Sequence, residues 1–408
     1  MIQTMKRRNM EARLRSAAAA FPVISLTGPR QSGKTTLTKS TFPNHRYVSL
    51  EEPDVRERAL ADPRGFLSGL GPEVVLDEVQ RAPDLFSYLQ SSVDADRRPG
   101  RFILTGSENF LLAERISQTL AGRVAVLHLL PYSYGESICR TPLDPAKLED
   151  PTVVAEFPTS TPPSDRPSLD DVLVDGLFPG LPSSRPDRDL WYASYEQTYV
   201  ERDVRRLVNI ENLDTFRRFL RLVAGRSGQL LNHASLAADA GISAPTVRSW
   251  LSLLDAAFIV FRVPPHSANF RKRLTKSEKI YFTDTGFLCR LLGIRTPDDL
   301  RYHALRGAVF ETFVMTELLK SFLNRGERPP LYFWRDHTGH EIDLLLDFGP
   351  RLAAWEFKPA STLRTDFFDS IDWWQKLPGN KNRGGGIVYG GDSTFAFHGR
   401  VVRSWREL

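Results

Sequence analysis

The sequence Gly28-Pro29-Arg30-Gln31-Ser32-Gly33-Lys34-Thr35 decides the fold of the first part of this chain. It fits the pattern G-x-x-x-x-G-K-[ST] at every position, follows the apolar run Val23–Leu26 and precedes a helical pattern. Backbone N–H groups of such a loop, together with the start of the helix, form a concave site for a triphosphate. The sequence therefore predicts an ATP site formed by Gly28, Pro29, Arg30, Gln31, Ser32, Gly33, Lys34, Thr35 and Thr36.

The chemistry of such a loop gives several side chains an expected role. Lys34 is expected to reach the β- and γ-phosphates, and the Thr35 hydroxyl to bind Mg²⁺. The apolar run Val74–Leu76 ends in Asp77 and Glu78, and an acidic strand end is the expected partner of a phosphate loop. Asp77 is predicted to hold Mg²⁺ through water. Glu78 is predicted to orient the water that attacks the γ-phosphate.

Two later segments add candidates for catalysis. The apolar run that begins at Phe102 ends in Thr105-Gly106-Ser107, and either Ser107 or Thr105 is predicted to contact the γ-phosphate as a sensor. Arg123 is either an arginine finger, which would stabilise charge on the phosphates during hydrolysis, or one partner of a surface salt bridge. The sequence favours neither reading of Arg123.

Short apolar runs alternate with helical patterns around this motif, throughout residues 1–140. This alternation is typical of an α/β fold in which helices cover a parallel sheet. The predicted strands are Phe21–Leu26, Tyr47–Leu50, Val74–Leu76, Phe102–Thr105 and Val124–Leu129.

The length and the proline pattern predict several domains. A chain of 408 residues suggests two or three of them. Seven prolines fall between positions 141 and 168, which indicates a linker. We therefore predict an ATPase domain at 1–140, a proline-rich linker at 141–170, a helical and winged-helix domain at 171–300, and a C-terminal domain at 301–408.

Composition excludes several classes of protein. Hydrophobic residues make up 41% and charged residues 25% of the chain, which excludes a disordered, collagen-like or small disulfide-stapled protein. Two cysteines, Cys139 and Cys289, fit a reducing compartment. The start of the chain loosely resembles a signal peptide, but Glu11, Arg13 and Arg15 interrupt it. With no apolar segment long enough for a membrane span, we predict a cytoplasmic protein without a membrane partner.

The middle of the chain carries a basic excess and a helix-turn-helix pattern. Residues 185–306 contain 20 basic and 13 acidic side chains. Helical patterns at Ser235–Ala240 and Pro245–Leu254 flank Gly241, and two strand-like runs, Phe258–Val263 and Lys279–Phe282, follow. The order predicts a winged helix, which either binds DNA or serves as a packing module. The candidate DNA contacts are Arg248, Arg271, Lys272 and Arg273.

The last hundred residues place acidic residues and a lysine at strand spacing. Strand-like runs at Ile342–Phe348 and Leu352–Phe357 are preceded by a helix at Gly307–Lys320. Alternation in strands puts Glu341 with Asp343, and Glu356 with Lys358, on common faces, and the helix offers Glu311. This arrangement resembles the PD-(D/E)XK nuclease core, in which the acids hold a metal ion and the lysine acts near the scissile phosphate. The resemblance implies Glu311, Asp343 and Glu356 as metal ligands, together with Lys358. The Pro-Asp of the name is absent, so cleavage and binding without cleavage both remain open.

Taken together, the motifs resemble the STAND-related AAA+-type ATPases of bacteria and archaea, in which a domain of unknown function follows an AAA+/RecA-like domain. The residues that carry the resemblance are Gly28–Thr35, Leu76–Gln80, Leu104–Ser107, Ala121–Arg123, Leu130–Glu136, Gly176–Pro179, Thr198–Asp203 and Phe282–Gly286.

The resemblance and the basic middle region favour a Mg²⁺-dependent ATPase that forms a homo-oligomer, most readily a hexamer, and remodels forked, junction or single-stranded DNA. The alternative is a nucleotide-gated signalling or defence switch that controls a partner protein.

Overall fold

The structure is a computed structural model, and it describes residues 6–107, 119–153, 166–201, 212–267, 277–377 and 383–408. The chain forms two compact units. The first contains the residues up to Pro131 together with the short segments Ala256–Phe258 and Leu323–Glu327, and the second contains the remainder. Within the described ranges, each helix is too short or too polar to cross a membrane.

The first unit is built on a parallel sheet of five strands. They are β1 (Val23–Thr27), β2 (Arg46–Ser49), β3 (Val74–Asp77), β4 (Phe102–Gly106) and β5 (Val124–His128), in the order β2-β3-β4-β1-β5. All four pairings are parallel, so the carboxyl ends of the strands lie along one edge of the sheet. The α/β class and the parallel sheet predicted from the sequence are thus confirmed.

Helices cover both faces of this sheet because successive residues of its central strands point to opposite sides. On β4, Phe102 and Leu104 belong to one apolar core, and Ile103 belongs to the other. Both cores are fully enclosed, which is why β1, β3 and β4 consist of buried residues throughout. The helices of this unit are α1 (Glu11–Ala20), α2 (Lys34–Thr41), α3 (Pro53–Ala61), α4 (Pro63–Ser68) and α5 (Leu85–Ala95).

The second unit begins with a largely helical region. Its helices are α6 (Tyr134–Ser137), α7 (Leu169–Asp175), α8 (Arg185–Tyr195), α9 (Leu213–Ala224), α10 (His233–Ala240) and α11 (Ala244–Ala256), and a π-helical turn at Glu196–Glu201 extends α8. The described start of the predicted linker is held in place by Arg403. This fully buried side chain donates to the carbonyl oxygens of Leu148, Asp150 and Val153 at 2.7–2.8 Å.

The predicted helix-turn-helix pattern corresponds to α10 and α11. Gly241 between them has φ +72°, a left-handed conformation that favours glycine. The Ser243 hydroxyl accepts the N–H of Thr246 at 3.2 Å and caps α11. Val247 and Trp250 are buried while Arg248 is exposed, as the helical period indicates. An antiparallel pair follows, β6 (Val260–Val263) and β7 (Lys279–Phe282). Arg271, Lys272 and Arg273 lie outside the described residues.

The C-terminal region contains a six-stranded mixed sheet. After α12 (Thr285–Leu291), α13 (Pro297–Arg301) and α14 (Arg306–Asn324) come β8 (Leu331–Arg335), β9 (Glu341–Asp347), β10 (Leu352–Lys358), α15 (Asp369–Gln375), β11 (Arg383–Tyr389), β12 (Phe395–Phe397) and β13 (Arg400–Ser404). The order of the strands is β12-β13-β11-β10-β9-β8. The sequence predicted β9 and β10 but not the other four.

Candidate nucleotide site and C-terminal acid cluster

The phosphate loop begins at the carboxyl end of β1, and its backbone favours glycine at two positions. Gly28 lies close to Leu129, the residue that directly follows β5. A Cβ at Gly28 would come within 2.1 Å of the Leu129 carbonyl oxygen. Gly33 has φ +90° and directly precedes α2. Of the other predicted contacts, Arg30 and Thr35 are half-buried, whereas Gln31 and Thr36 are exposed.

Lys34 is held over the loop. Its ammonium group donates to the carbonyl oxygens of Gly28 at 2.9 Å and Pro29 at 2.7 Å, and the residue is only 6% exposed. Burial lowers the pKa of Lys34 to about 8, although the negative charges of Glu78 and Asp77 act in the opposite direction. The lysine is thus held at the loop, and its contact with the phosphates of ATP stays a prediction.

Asp77 is the centre of a group of hydroxyls. Its carboxylate accepts hydrogen bonds from Thr35 at 2.7 Å, from Tyr47 at 2.6 Å and from Thr105. A threonine hydroxyl beside an aspartate supplies the hard oxygen ligands that Mg²⁺ prefers, so this pair fits the predicted metal site. Burial, followed by the hydrogen bond to Asp77, raises the pKa of Tyr47 above its ordinary range. No sequence motif points to this role for Tyr47.

The predicted catalytic glutamate and one of the two predicted sensors meet next to this group. The Ser107 hydroxyl lies 3.4 Å from a carboxylate oxygen of Glu78, and the Gln80 amide donates to the same oxygen. Glu78 has φ +54°, a strained conformation for a residue with a side chain. Thr105 instead bonds to Asp77. Gln80 belongs to the motif Leu76–Gln80, but no sequence pattern indicates a role for its amide.

A further residue, Arg8, reaches the loop from the start of the chain. Its guanidinium donates to the carbonyl oxygens of Ser32 at 2.6 Å and Leu130 at 2.7 Å, and the residue is 6% exposed. These contacts tie the phosphate loop to the segment that follows β5. Sequence reasoning missed Arg8, since it stands in a run of basic residues that looked like an ordinary charged terminus.

Arg123 does not reach the phosphate loop of its own chain. It precedes β5, at the amino ends of the strands, whereas the loop follows their carboxyl ends. Its guanidinium forms a two-pronged ion pair with Asp94, with distances of 2.8 and 3.0 Å. The structure thus shows the predicted salt bridge, whereas the arginine-finger alternative stays a prediction for contacts between copies of the chain.

The predicted residues of the C-terminal region form an acid cluster, which we define as Glu311, Glu341, Asp343 and Glu356 with the cations that contact them. Extending the β9–β10 register beyond Leu344 and Trp355 would place Asp343 opposite Glu356. There the ladder stops, and the Asp343 carboxylate instead accepts the N–H of Phe357 at 2.9 Å.

Lysine side chains pair with these acids. Lys358 contacts Glu356 at 2.8 Å, as predicted for its strand face. Lys279 of β7, which the sequence did not place here, lies 2.9 Å from Glu311 and 2.5 Å from Glu341. The Tyr281 hydroxyl donates to Glu311 at 2.7 Å. The cluster therefore joins the β6–β7 pair, the long helix α14 and the C-terminal sheet.

Burial and mutual repulsion make two of the acids weak. Burial, followed by the charge of Asp343, raises the pKa of Glu311 to about 7 and that of Glu356 to about 8. Glu356 is 4% exposed, and one of its carboxylate oxygens has no hydrogen-bond partner among the described residues. Across those same residues, no three His, Cys, Asp or Glu side chains are arranged to hold a metal ion. The predicted ligands are thus near one another but do not form a ready metal site.

The sheet order and the phosphate loop define the class of protein, a P-loop ATPase. Residues 20–138 match the family described as AAA domain, and residues 306–408 match a domain of unknown function, DUF4143. A second domain of unknown function, DUF8612, matches residues 166–298.

Two curated proteins show the family directly. The uncharacterized proteins Mb2031c of Mycobacterium bovis and Rv2008c of Mycobacterium tuberculosis are each 34% identical to this chain over 361 residues, which covers 88% of this chain and 75% of theirs. The chain belongs to the same family as these proteins.

Solved structures with some similarity come from two Pyrococcus species. The Walker-type ATPase PABY2304 of Pyrococcus abyssi is 16% identical, with a TM-score of 0.41, and the match covers 71% of this chain and 99% of that one. A STAND protein with a tetratricopeptide repeat sensor, PH0952 of Pyrococcus horikoshii, is 11% identical with a TM-score of 0.25, over 79% and 47% of the two chains.

Proposed function

We propose that this protein hydrolyses ATP with Mg²⁺ and uses the cycle to remodel DNA as a homo-oligomer, most readily a hexamer on forked, junction or single-stranded substrates. The observation that carries the ATPase part is the 2.7 Å contact between the Thr35 hydroxyl and the Asp77 carboxylate, beside Lys34 at the start of α2. This contact brings together the two side chains that would hold the ion, next to the lysine that would bind the phosphates.

Each residue contributes one part of the reaction. Lys34 and the loop N–H groups bind the β- and γ-phosphates and fix their orientation. Glu78 accepts a hydrogen bond from the attacking water and aligns it, while Ser107 lies where it can respond to the γ-phosphate. Bound Mg²⁺ supplies positive charge that neutralises the phosphates, and Thr35 and Asp77 are the residues that would hold it.

Support for DNA as the substrate comes from the middle of the chain. Residues 185–306 carry an excess of seven positive charges, which suits contacts to a phosphate backbone. Arg248 is exposed on α11, the second helix of the helix-turn-helix, beside exposed Ser249. We infer that this region binds DNA as a winged helix and that the PD-(D/E)XK-like C-terminal region grips DNA rather than cutting it.

An ATPase assay with a panel of DNAs tests this proposal. The parent protein and Lys34→Ala are compared with Mg²⁺ or with EDTA, on single strands, duplexes, forks and four-way junctions. We expect Mg²⁺-dependent hydrolysis that DNA accelerates several-fold and that Lys34→Ala abolishes. Hydrolysis that ignores every DNA would contradict the motor, and an absence of hydrolysis would contradict the ATPase itself.

A second candidate function is a nucleotide-gated switch with slow turnover, and one contact favours it. One carboxylate oxygen of Glu78, Oε2, accepts from the Gln80 amide and lies 3.4 Å from the Ser107 hydroxyl, which would restrain Glu78 in its alignment of water. A switch of this kind would hydrolyse ATP slowly and without a response to DNA. Replacing Gln80 with Leu should then raise the basal rate, whereas a motor whose rate is set by DNA should change little.

A further inference from the structure

Asp77 has hydrogen-bond donors on both of its carboxylate oxygens. Oδ2 accepts from the hydroxyls of Thr35 at 2.7 Å and Tyr47 at 2.6 Å. Oδ1 accepts from the Thr105 hydroxyl and from the backbone N–H of Glu78 at 3.1 Å. Since a carboxylate offers roughly four lone-pair sites, these donors determine its orientation closely.

The two hydroxyls at Oδ2 have different tasks. Thr35 stands in the phosphate loop, where its hydroxyl would itself bind the metal ion of a bound nucleotide. Tyr47 is on β2, the strand at one edge of the parallel sheet, and it comes from outside the loop. When Thr35 turns a lone pair towards the ion, Tyr47 is the other side chain that holds Oδ2 in place.

The sheet register explains why a tyrosine serves at this position. Ser49 of β2 is paired with Asp77, and Tyr47 is paired with Val75. Tyr47 therefore starts two residues before the partner of Asp77, on the same face of β2 as Ser49. Two strand residues span about 6.6 Å, a distance that calls for a long side chain with a polar end.

Contacts to the ring keep the Tyr47 side chain in this direction. The ring packs against the apolar core that contains Leu37 and Val75. The ammonium group of Lys39, on α2, lies 3.6 Å from the ring centroid and adds a cation–π contact. The hydroxyl is thus held at Asp77 by packing that does not involve Thr35.

We propose that Tyr47 is a positioning residue for Mg²⁺, which acts by fixing Oδ2 of Asp77 beside the Thr35 hydroxyl. The inference rests on the proposed ATPase function but not on DNA binding or on an oligomer. A partner that orients a metal-holding side chain typically changes metal affinity by about 10- to 100-fold when it is removed. The Mg²⁺ dependence of nucleotide binding is therefore the property that Tyr47 controls.

Binding of a non-hydrolysable ATP analogue, measured in EDTA and in Mg²⁺, tests the proposal. The ratio of the two affinities is the gain that Mg²⁺ provides. Tyr47→Phe removes the hydroxyl but keeps the ring with its contacts to the core and to Lys39. Tyr88→Phe is the matched control, because it takes the same hydroxyl from an exposed tyrosine on α5. The Mg²⁺ concentration that gives half-maximal ATP hydrolysis is a second readout.

We expect Tyr47→Phe to bind the analogue in EDTA as the parent does and to lose about tenfold of the gain from Mg²⁺. Half-maximal hydrolysis should need about tenfold more Mg²⁺, and saturating Mg²⁺ should restore a rate close to that of the parent. Tyr88→Phe should match the parent in both readouts.

Two results would overturn the role of Tyr47 while leaving the proposed function intact. One is a Tyr47→Phe variant with the parent's Mg²⁺ dependence. The other is a variant that unfolds, or that loses affinity equally in EDTA and in Mg²⁺, because the residue would then be only structural. A parent protein whose binding of the analogue gains nothing from Mg²⁺ would instead contradict the proposed function, and the role of Tyr47 with it.

Discussion

Asp77 at the nucleotide site is a buried carboxylate and Glu311 in the acid cluster a half-buried one, and their partners carry different charge. Asp77 accepts hydrogen bonds from three neutral hydroxyls, those of Thr35, Tyr47 and Thr105. Glu311 faces the ammonium of Lys279 and a single hydroxyl, that of Tyr281. One carboxylate is held in position by neutral donors, and the other faces a positive charge.

This difference distinguishes the carboxylate proposed to hold Mg²⁺ from the carboxylates of the acid cluster. Hydroxyl donors orient a carboxylate, and a threonine hydroxyl can turn one of its lone pairs towards the same ion. An ammonium group has no lone pair, so it can only compete with the ion. The chemistry of the partners, rather than the number of acids, is therefore the reason for proposing Mg²⁺ binding at Asp77 rather than in the acid cluster.

The largest expected effect is on the free energy of unfolding, when one partner of each carboxylate is removed. Lys279→Met should lower the free energy of unfolding by roughly 3–5 kcal/mol, because it leaves buried carboxylates without their counter-charge. Thr105→Val should cost only about 1 kcal/mol, since it removes one hydroxyl from Asp77 and two others remain. Urea unfolding of both variants measures the two costs. Similar losses would show that the two sites do not differ as the contacts indicate.

At the nucleotide site the largest effect should be on turnover. Glu78→Gln removes the base that aligns water but keeps the shape of the side chain and its contact with Gln80. We expect ATP to bind as in the parent and hydrolysis to fall by roughly 100-fold or more. Single-turnover hydrolysis and fluorescent-nucleotide binding separate the two steps. A parent-like rate in this variant would mean that another residue aligns the water.

A smaller effect is expected at Arg8, which supports the loop without touching the phosphate position. Arg8→Ala removes two hydrogen bonds, from the guanidinium to the carbonyl oxygens of Ser32 and Leu130. We expect ATP affinity to weaken by about tenfold. Arg8→Lys keeps the charge but cannot make both contacts with the same geometry. Its ATP affinity should therefore lie between that of the parent and that of Arg8→Ala. Calorimetric titration with a non-hydrolysable ATP analogue provides the measurement. If Arg8→Lys bound as the parent does, charge alone would explain the role of Arg8.

The places of the proposed nucleotide-site residues in the fold could be predicted, because the motif puts Lys34 and Thr35 after β1, at the start of α2, and the sequence pattern puts Asp77 and Glu78 at the end of β3. Lys34, Thr35, Asp77 and Glu78 each stand where the motif and the ends of parallel strands put them. Arg8 and Tyr47 could not be found in this way, since their contacts arise from tertiary packing and no local pattern precedes them.

In the C-terminal region, by contrast, strand β11 and the contacts of Lys279 could not be predicted from the sequence. Strand β11 was missed because it contains Gly384-Gly385-Gly386, a composition that predicts a loop. The structure explains one of these glycines directly, since Gly385 has φ +121° and a Cβ there would lie 1.8 Å from the Ala354 carbonyl oxygen on β10. Lys279 was missed for another reason, because the β6–β7 pair reaches the acids only after the region has folded.

A pH experiment tests another titratable side chain that has a neutral hydroxyl partner, His128. His128 of β5 lies 2.7 Å from the Thr27 hydroxyl, with the Phe258 ring at 5.5 Å, and burial lowers the pKa of His128 below its ordinary value of 6.5. The unfolded chain therefore takes up a proton first as the pH falls below 6.5, and stability is lost in that direction. We expect the unfolding temperature of His128→Asn to fall less between pH 7.5 and pH 5.5 than that of the parent. Equal slopes would mean that the imidazole accepts its proton without cost.

The smallest effect is expected at Arg123, and it decides whether this residue serves the nucleotide site of a neighbouring copy. Its ion pair with Asp94 is at the surface, and hydrogen bonds from Arg123 hold the pKa of Asp94 below its ordinary value. Exposed pairs of this kind contribute little to stability, because solvent screens them. If the pair is only structural, Arg123→Ala and Asp94→Ala should each leave ATP turnover at the parent level, and their small effects on stability should not add in the double variant.

An arginine finger would behave differently. Arg123→Ala would lose turnover in the assembled oligomer, while Asp94→Ala would keep its turnover or even increase it, since the guanidinium would be released from its partner. Measuring turnover of both variants at protein concentrations below and above assembly therefore distinguishes a salt bridge from a catalytic group that acts between copies.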